Sequence, residues 1–569
     1  LKMTGIVGVF CKDINLLPYY QNKLKHMSSA NSDIFSKTKK QYLINSGNIV
    51  CAFATNNELV KNYISKPYGE HITFVLGNIH AIEKLRVNFN SLDKHNGFFS
   101  IIRYYPTEKK LTIISDVARS NPIYFIDTPQ AFAFSSEIKS LCYLYPKEVK
   151  LNWLKAMRNN VYSEDTNNIW DVNETKPQSV MTIKENSITA EKWPLLLKEK
   201  GTLSETIDNI CNDIKEAGYY DSILVSGGID SCLLAHRLEI KDAYTLCGKP
   251  FEASGDYTTS VAFCKEYGIK LHAVSLPKID THIKDEYKKL LYSFENLSFN
   301  IESWLKSCVF HRIRDDMKNG VITGNGSDEL LGGYSCAYGS YNEYQRSIYY
   351  DLLSNKICKY GLQPGKISFF DEAGLPNLFD IPANKRKAVL TYEIEKCSYN
   401  GLYQDMRNSA FFRLRCYSPF LSSSMVSEAH NLNSENQLYN KAALREYAIE
   451  QGIAREYAYR KKNPFIYNKH YHYIFEYIYS LLTYKLPLGE SLLSEAISTK
   501  SFSEHILDKD FFLNFVNSVF EGKGDYELIE VVLRIINLAL LYDESELSWK
   551  KQSEKQTMHY ASSKTKLFY

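Results

Sequence analysis

A short apolar strand, Asp221–Val225, runs directly into Ser226-Gly227-Gly228-Ile229-Asp230-Ser231 and then into an apolar helical pattern that ends near Leu238. Strand, glycine turn and helix in immediate succession constrain the chain to a parallel βα unit. The pattern continues downstream. Ala243–Leu246, Lys270–Ser275 and Gly320–Thr323 read as strands, with helical patterns at Asp256–Tyr267 and Ile301–Met317 between them. This alternation predicts a doubly wound parallel sheet. Past residue 340 the pattern is mostly helical and rich in aromatic residues.

The first 190 or so residues read differently. Short apolar segments alternate with polar turns at Ile6–Phe10, Ile49–Thr55, Ile72–Leu76, Phe98–Tyr105, Lys110–Ser115, Pro122–Ile126 and Ala131–Ser135, and Glu137–Leu144 reads as a helix. Regularly spaced short strands predict sheets packed face to face. The polar stretch Lys192–Thr202 is the expected boundary. The division is therefore 1–195, 200–550 and a basic tail at 551–569.

Composition narrows the function. Lys and Arg total 68 against 65 Asp and Glu, a balance that gives no footprint for nucleic acid. No apolar run is long enough for a membrane span or the core of a signal peptide, so the expectation is a soluble, cytoplasmic protein. The 12 cysteines form no C-x-x-C pair, which argues against a zinc ribbon and for reduced, buried thiols.

The loop Ser226–Ser231 carries the first chemical signal. Gly227 and Gly228 let the backbone approach an anion closely, and the N–H groups of the turn and first helical turn favour negative charge. Ser226 and Ser231 add hydroxyls. A bare phosphate would be repelled by Asp230, so its presence points to an intervening Mg²⁺. The G-K-[ST] ending of a Walker A loop is missing. The spacing resembles the S-G-G-x-D-S loop of ATP pyrophosphatases, which break the α–β bond of ATP to give AMP and pyrophosphate; the plain alternative is an ordinary strand-to-helix turn.

A second loop follows strand Val321–Thr323 as Gly324-Asn325-Gly326-Ser327-Asp328-Glu329, continuing to Gly332-Gly333-Tyr334. Loops at the carboxyl ends of parallel strands face one crevice, so the two can converge on one ligand. Asp328 is then the second candidate Mg²⁺ carboxylate beside Asp230.

Together the two loops resemble the synthetase domain of the class B asparagine synthetase superfamily, whose members include β-lactam synthetases, carbapenam synthetase and lasso-peptide cyclases. Thr4-Gly5-Ile6-Val7-Gly8-Val9-Phe10 looks like the amino-terminal C-G-I-x-G-x-F of its glutaminase domain. Asp116-Val117-Ala118-Arg119 through Pro122-Ile123-Tyr124-Phe125, then Ser135-Ser136-Glu137-Ile138-Lys139, look like D-x-x-G-x-x-P-L-Y-Y … S-E-x-K. Arg460-Lys461-Lys462 resembles the R-x-K segment whose lysine contacts the α-phosphate and acyl oxygen, with Lys462 in register and Lys461 as the other choice. The matching motifs run from about residue 4 to about 465. The resemblance implies an α+β Ntn-hydrolase-like domain, a β-sandwich flanked by helices, followed by an α/β ATP-pyrophosphatase domain with a helical carboxyl-terminal part. It also implies ATP and Mg²⁺.

Three departures matter. Thr4 stands in the slot of the nucleophilic cysteine, with Leu1-Lys2-Met3 ahead of it. A threonine needs its own free α-amine as base, so the first domain is expected to be a scaffold that does not hydrolyse glutamine. Cys11 and Cys51 are expected to be packing residues. Asn325 fills the slot of a glutamate in the asparagine synthetases and a tyrosine in the β-lactam and carbapenam enzymes, and Asn is no base at neutral pH. Finally, Arg407-x-Ser409 through Pro419-Phe420-Leu421 looks like R-x-S … E-x-R-x-P-F-L-D, but Arg415, Tyr417 and Ser422 replace its Glu, Arg and Asp. With Asn325 and Ser327, Arg415 is a candidate for the substrate pocket.

The chain is closest in character to the members that do not hydrolyse glutamine. The expected activity is an AMP-forming amide ligase acting on a carboxylate that carries its own amine, giving a β-lactam or macrolactam, with a pathway protein as a possible partner. An ammonia- or glutamine-dependent asparagine synthetase is the second reading, and a nucleotide-binding pseudoenzyme scaffold the third.

Overall fold

In the computed structural model the described residues are 3–27, 40–55, 71–79, 96–153, 156, 169–194, 202–247, 255–333, 394, 397–432, 439–460, 472–484, 490–521 and 528–541. Lys461, Lys462 and the basic stretch 551–569 lie outside them.

The amino-terminal part is two antiparallel sheets packed face to face. The first has β1 (Met3–Cys11), β2 (Lys40–Ser46), β3 (Ile49–Thr55), β7 (Tyr124–Asp127), β8 (Ala131–Ser135) and β9 (Asn173–Glu174), in the order β2-β3-β1-β8-β7-β9. The second has β4 (Ile72–Ile79), β5 (Gly97–Tyr105), β6 (Lys110–Ser115), β10 (Ser179–Lys184) and β11 (Ser187–Lys192), in the order β11-β10-β6-β5-β4. Ile6, Phe10, Phe53, Phe74, Ile102 and Phe134 fill the space between the sheets. Phe134 lies so close to β1 that a Cβ on Gly8 would stand 2.3 Å from its ring. Cys11 and Cys51 are buried in this part, and burial pushes the Cys11 thiol up to about 12; both are packing residues. Helix α1 (Leu17–Met27) and helix α2 (Ile138–Leu144) flank the sheets.

The sequence pattern missed β2, β9, β10 and β11. Five of the six residues of β11 are exposed and polar alternation along it is weak, so no buried face marks it.

After α3 (Leu203–Ala217) comes a sheet of five parallel strands: β12 (Ser222–Leu224), β13 (Asp242–Leu246), β14 (Lys270–Val274), β15 (Gly320–Ile322) and β16 (Arg415–Tyr417), in the order β14-β13-β12-β15-β16. Helices α4 (Ile229–Arg237), α5 (Gly255–Glu266), α6 (Thr281–Phe294) and α7 (Ile301–Asp315) connect or cover these strands. The short α8 (Ser327–Leu330) follows β15, α9 (Gly401–Phe412) precedes β16, and α10 (Ser423–Asn431) and α11 (Ala442–Glu450) follow it. The region past 340 is therefore not simply helical. Three residues of β16 extend the sheet, a length too short to show a period in sequence.

β5 explains how the two parts meet. Eight of its nine residues are buried, because one face packs between the sheets while Phe98 and Ile101 join the core of the second part. The Phe98 ring stands edge-on to Tyr417 at 4.8 Å. Nearby, Glu295 accepts hydrogen bonds from the N–H groups of Ile138 and Lys139, at 3.1 and 2.8 Å. An acidic side chain from one part thus caps the positive end of α2 in the other. Arg119 stands where the amidotransferase motif has glycine, and it takes the left-handed backbone (φ 50°) that glycine would take freely. That costs about 1 kcal/mol. Its buried guanidinium offsets this by pairing with Glu174 at 3.2 Å and lying 4.0 Å over the Tyr399 ring.

Candidate functional site

β12 and β15 are neighbours, so the loops leaving their carboxyl ends open into one crevice. A cavity of about 430 Å³ occupies it. Ser226, Gly228, Asp230, Ser231, Gly324 and Asn325 line it, as does Asp328.

The first loop is built for close approach. Gly227 has φ +69°, and a Cβ there would stand 2.9 Å from Thr259 and 3.0 Å from Arg460 Nη1. Only glycine fits both the angle and the space. The Ser231 hydroxyl accepts from the Ser226 N–H at 3.3 Å and donates to the Gly228 carbonyl at 3.2 Å, so it braces the turn from within. Asp230 follows Gly228 in the first turn of α4. Arg460 donates to the Ser226 carbonyl at 3.4 Å and pairs with Asp256 at 2.5 Å.

The second loop brings Asp328 to Asp230. Gly326 turns with φ +92°, packed against Leu421, and opens α8. The buried Ser327 hydroxyl donates to Asp230 Oδ1 at 2.5 Å. One cation already lies between the two carboxylates. Lys441 Nζ is 2.5 Å from Asp230 Oδ2 and 2.6 Å from Asp328 Oδ1. Lys441 is 3% exposed. Burial works against its charge, but Asp230 and Asp328 outweigh burial and hold its pKa above the usual value. Gly333 permits this packing, since a Cβ on it would fall 1.9 Å from Asp328 Oδ1.

These residues fit Mg²⁺. Two hard carboxylates converge on a single cation position beside a phosphate-type loop, the donor set Mg²⁺ takes when phosphate oxygens complete its shell. Among the described residues no group of three or more His, Cys, Asp or Glu forms a self-sufficient metal site. A metal here would need the nucleotide's oxygens as well.

Asn325 donates its side-chain amide to Asp405 Oδ2 at 2.5 Å, and its main-chain carbonyl accepts from the Ser418 hydroxyl at 2.5 Å. Asp405, from α9, is buried, and burial raises its carboxyl pKa despite the nearby Lys306 ammonium.

Not every expected residue belongs here. Arg415 is at the start of β16, paired with Gly320 at the amino end of β15, and stacks over the Tyr219 ring at 4.0 Å. That is the opposite end of the sheet from the crevice, so Arg415 does not line the cavity. A motif slot gives position along the chain and says nothing about which end of a short strand it occupies. Ser422 caps α10 by accepting from the Met425 N–H at 3.2 Å, and Tyr417 is core. Thr4 is on β1, but its side chain, like Lys461 and Lys462, lies outside what is described. Sequence reasoning missed Lys441, Asp405 and Lys306. The one local sign of Lys441 is conformational: Asn440 and Lys441 are consecutive non-glycine residues with φ of 49° and 60°.

Comparison with known proteins agrees with this geometry. The Asparagine synthase family model matches residues 222–541, and a Glutamine amidotransferase domain model matches 78–194. Asparagine synthetase [glutamine-hydrolyzing] 2 of Bacillus subtilis (strain 168) is 22% identical over 533 residues, covering 81% of this chain and 67% of that protein. Two solved structures, the B. subtilis glutamine phosphoribosylpyrophosphate amidotransferase complexed with ADP and GMP and an allosteric regulatory enzyme of purine biosynthesis, match at a TM-score of 0.23 and 9% identity. Each covers 50% of this chain, with 70% and 69% of their own lengths matched. The two-sheet layer is the Ntn-type amidotransferase fold and the parallel sheet is the synthetase fold. The chain belongs to the asparagine synthase family, the ATP-using carbon–nitrogen ligases.

Proposed function

We propose that this chain activates a substrate carboxylate with ATP and joins it to an amine carried by the same molecule, so that the product is a cyclic amide, a β-lactam or a macrolactam. The observation that carries the reading is the convergence of Asp230, Asp328 and Lys441 beside a glycine loop that lacks the Walker lysine. A carboxylate oxygen attacks the α-phosphorus, the α–β bond breaks, and pyrophosphate leaves with its electron pair toward Ser226–Ser231. The amine nitrogen then attacks the acyl carbon, the bond to the phosphate oxygen breaks, and AMP departs as the nitrogen loses its proton. Bound between Asp230 and Asp328, Mg²⁺ would neutralise the charge of the departing pyrophosphate. The loop N–H groups orient that pyrophosphate, and the cavity walls hold carboxylate and amine together, which supplies the proximity such a step needs. Lys462 is the proposed cation at the α-phosphate.

The finer part of the reading rests on departures from the family's motifs. Thr4 replaces the glutaminase cysteine and Asn325 replaces the base, so the amine is expected from the substrate rather than from glutamine. The first 195 residues then act as a scaffold, the ligase spans 200–550, and the protein works in the cytoplasm, with or without a pathway partner. Among the described residues no helix is long and apolar enough to cross a membrane.

A second reading, asparagine synthesis, is favoured by the B. subtilis relative, an asparagine synthetase. Incubating the protein with MgATP, aspartate and ammonium separates the two. Asparagine with equimolar AMP supports the second. No asparagine, from protein that binds MgATP, supports the first.

A further inference from the structure

Helix α9 has two working faces. Residues two apart lie about 200° apart around a helix, and residues four apart share a face. Asp405 lines the cavity, where it accepts the Asn325 side-chain amide at 2.5 Å. Tyr403 and Arg407, two residues before and after it, turn the other way, and there they meet the amino-terminal part.

That contact is directional. The Tyr403 hydroxyl donates to the Phe294 carbonyl at 2.8 Å, which uses its only proton. The Tyr124 hydroxyl of β7, 3.2 Å away, is therefore the donor to Tyr403. Tyr124 in turn accepts from Arg407 Nη2 at 3.5 Å, and the same nitrogen reaches the Ser136 carbonyl at 3.5 Å. Arg407, Tyr124, Tyr403 and Phe294 form one chain of donors that leaves α9, passes through β7 and returns through α9 to the end of α6. Tyr124 and Tyr403 are 1% and 2% exposed, so bulk water does not compete for these bonds.

Two further ties act at the start of α9. Arg119 lies over the ring of Tyr399, two residues before the helix. Glu295, whose carboxylate caps α2, also accepts from Trp170 Nε1 at 2.7 Å through its main-chain carbonyl. The segment that follows Glu295 is held to Gln404, next to Asp405. The fully buried Gln404 amide donates to the Ser298 carbonyl at 3.3 Å and to Asn300 Oδ1 at 3.2 Å. Each tie links the amino-terminal part to the helix that carries Asp405.

We propose that the amino-terminal part is a clamp on α9, and that Tyr124 is a positioning residue that holds Asp405 against Asn325 and so fixes that wall of the cavity. This deepens the scaffold role of the first part and rests on the amide-ligase reading only for what the cavity does. One buried hydroxyl on a strand of the first part then sets the shape of the reaction chamber in the second.

The test reads local opening, by hydrogen exchange and mass spectrometry on the full chain without ligand. Tyr124→Phe keeps the ring and removes the donor. Amides of α9 and of residues 323–331 should exchange about fivefold faster, the effect of one lost hydrogen bond, while α5 and β14 exchange as in the wild type. Tyr403→Phe breaks the same chain from the α9 side and should give the same pattern. Tyr104→Phe is the control. Its hydroxyl is buried in the same amino-terminal part and accepts from the Asn48 N–H at 2.9 Å, away from α9, so neither α9 nor residues 323–331 should respond. No acceleration at residues 323–331 in Tyr124→Phe overturns the proposal. So does equal acceleration in every element, or the same pattern from Tyr104→Phe. In parallel, Mg²⁺ and α,β-methylene-ATP are titrated into the wild type. Failure of that nucleotide to bind would overturn the ligase reading alone, because the exchange pattern is read without it.

Discussion

Lys441 Nζ lies 2.5 Å from Asp230 Oδ2, although 211 residues separate the two. The contact defines the state of the site. A buried lysine holds together two carboxylates that would otherwise repel one another, and the same carboxylates are the ones a nucleotide-bound metal would use.

Replacing Lys441 by Met leaves Asp230 and Asp328 facing each other without a cation. Removing one partner of a buried ion cluster costs about 3 kcal/mol. Calorimetric melting in EDTA should show that loss, and millimolar MgCl₂ should raise the melting temperature of the variant more than that of the wild type. Equal Mg²⁺ responses would mean that the two carboxylates do not share a metal position.

Gly333→Ala places a Cβ 1.9 Å from Asp328 Oδ1 and 2.5 Å from Lys441 Cε. Asp328 must move, and MgATP affinity should fall at least tenfold, about 1.4 kcal/mol, by titration calorimetry. Gly218→Ala is the control. Its φ of +62° costs about 1 kcal/mol, but nothing lies within 4 Å of its Cβ, so nucleotide binding should not change.

Asp116 pins the turn that carries Arg119. Its carboxylate accepts from the N–H groups of Phe99 at 2.7 Å, Ala118 at 2.8 Å and Ser120 at 3.2 Å, and from the Ser120 hydroxyl. Asp116→Ala leaves those donors buried and should cost about 3 kcal/mol. Burial pushes the Asp116 carboxyl up to about 6 despite these donors. A raised carboxyl pKa gives stability that is fully present below the unfolded value and is lost as pH rises through the folded one. The gap between wild type and Asp116→Ala should therefore be widest near pH 4 and narrow as pH passes about 6, measured by urea unfolding across that range.

Particular elements show what was legible in the sequence. The strands β12 and β15 were visible because a strand buried on both faces is a short apolar run, and the glycine loops Ser226–Ser231 and Gly324–Asp328 follow them. Both carboxylates of the phosphate-side cluster were therefore readable. Lys441 was not, because it reaches the site from a left-handed turn with no glycine and no apolar period to flag it. Asp405 was hidden by the same logic: it is a helical residue among helical residues, and only the packing of α9 against the loops gives it a role. Arg415 was drawn into the pocket by motif register and is placed outside it by three residues of β16 whose direction no motif encodes. Arg119 shows the converse, a residue in a glycine slot whose strain is offset by partners distant in sequence, Glu174 and Tyr399.

The most direct test is the identity of the nucleotide product. Wild type and Asp230→Ala are incubated with MgATP and a set of amine-bearing carboxylates, with aspartate plus ammonium included, and the nucleotides are resolved by mass spectrometry. The wild type should give AMP and pyrophosphate in equal amounts, and Asp230→Ala neither. ADP as the product, or AMP formed by Asp230→Ala at the wild-type rate, would contradict the ligase reading.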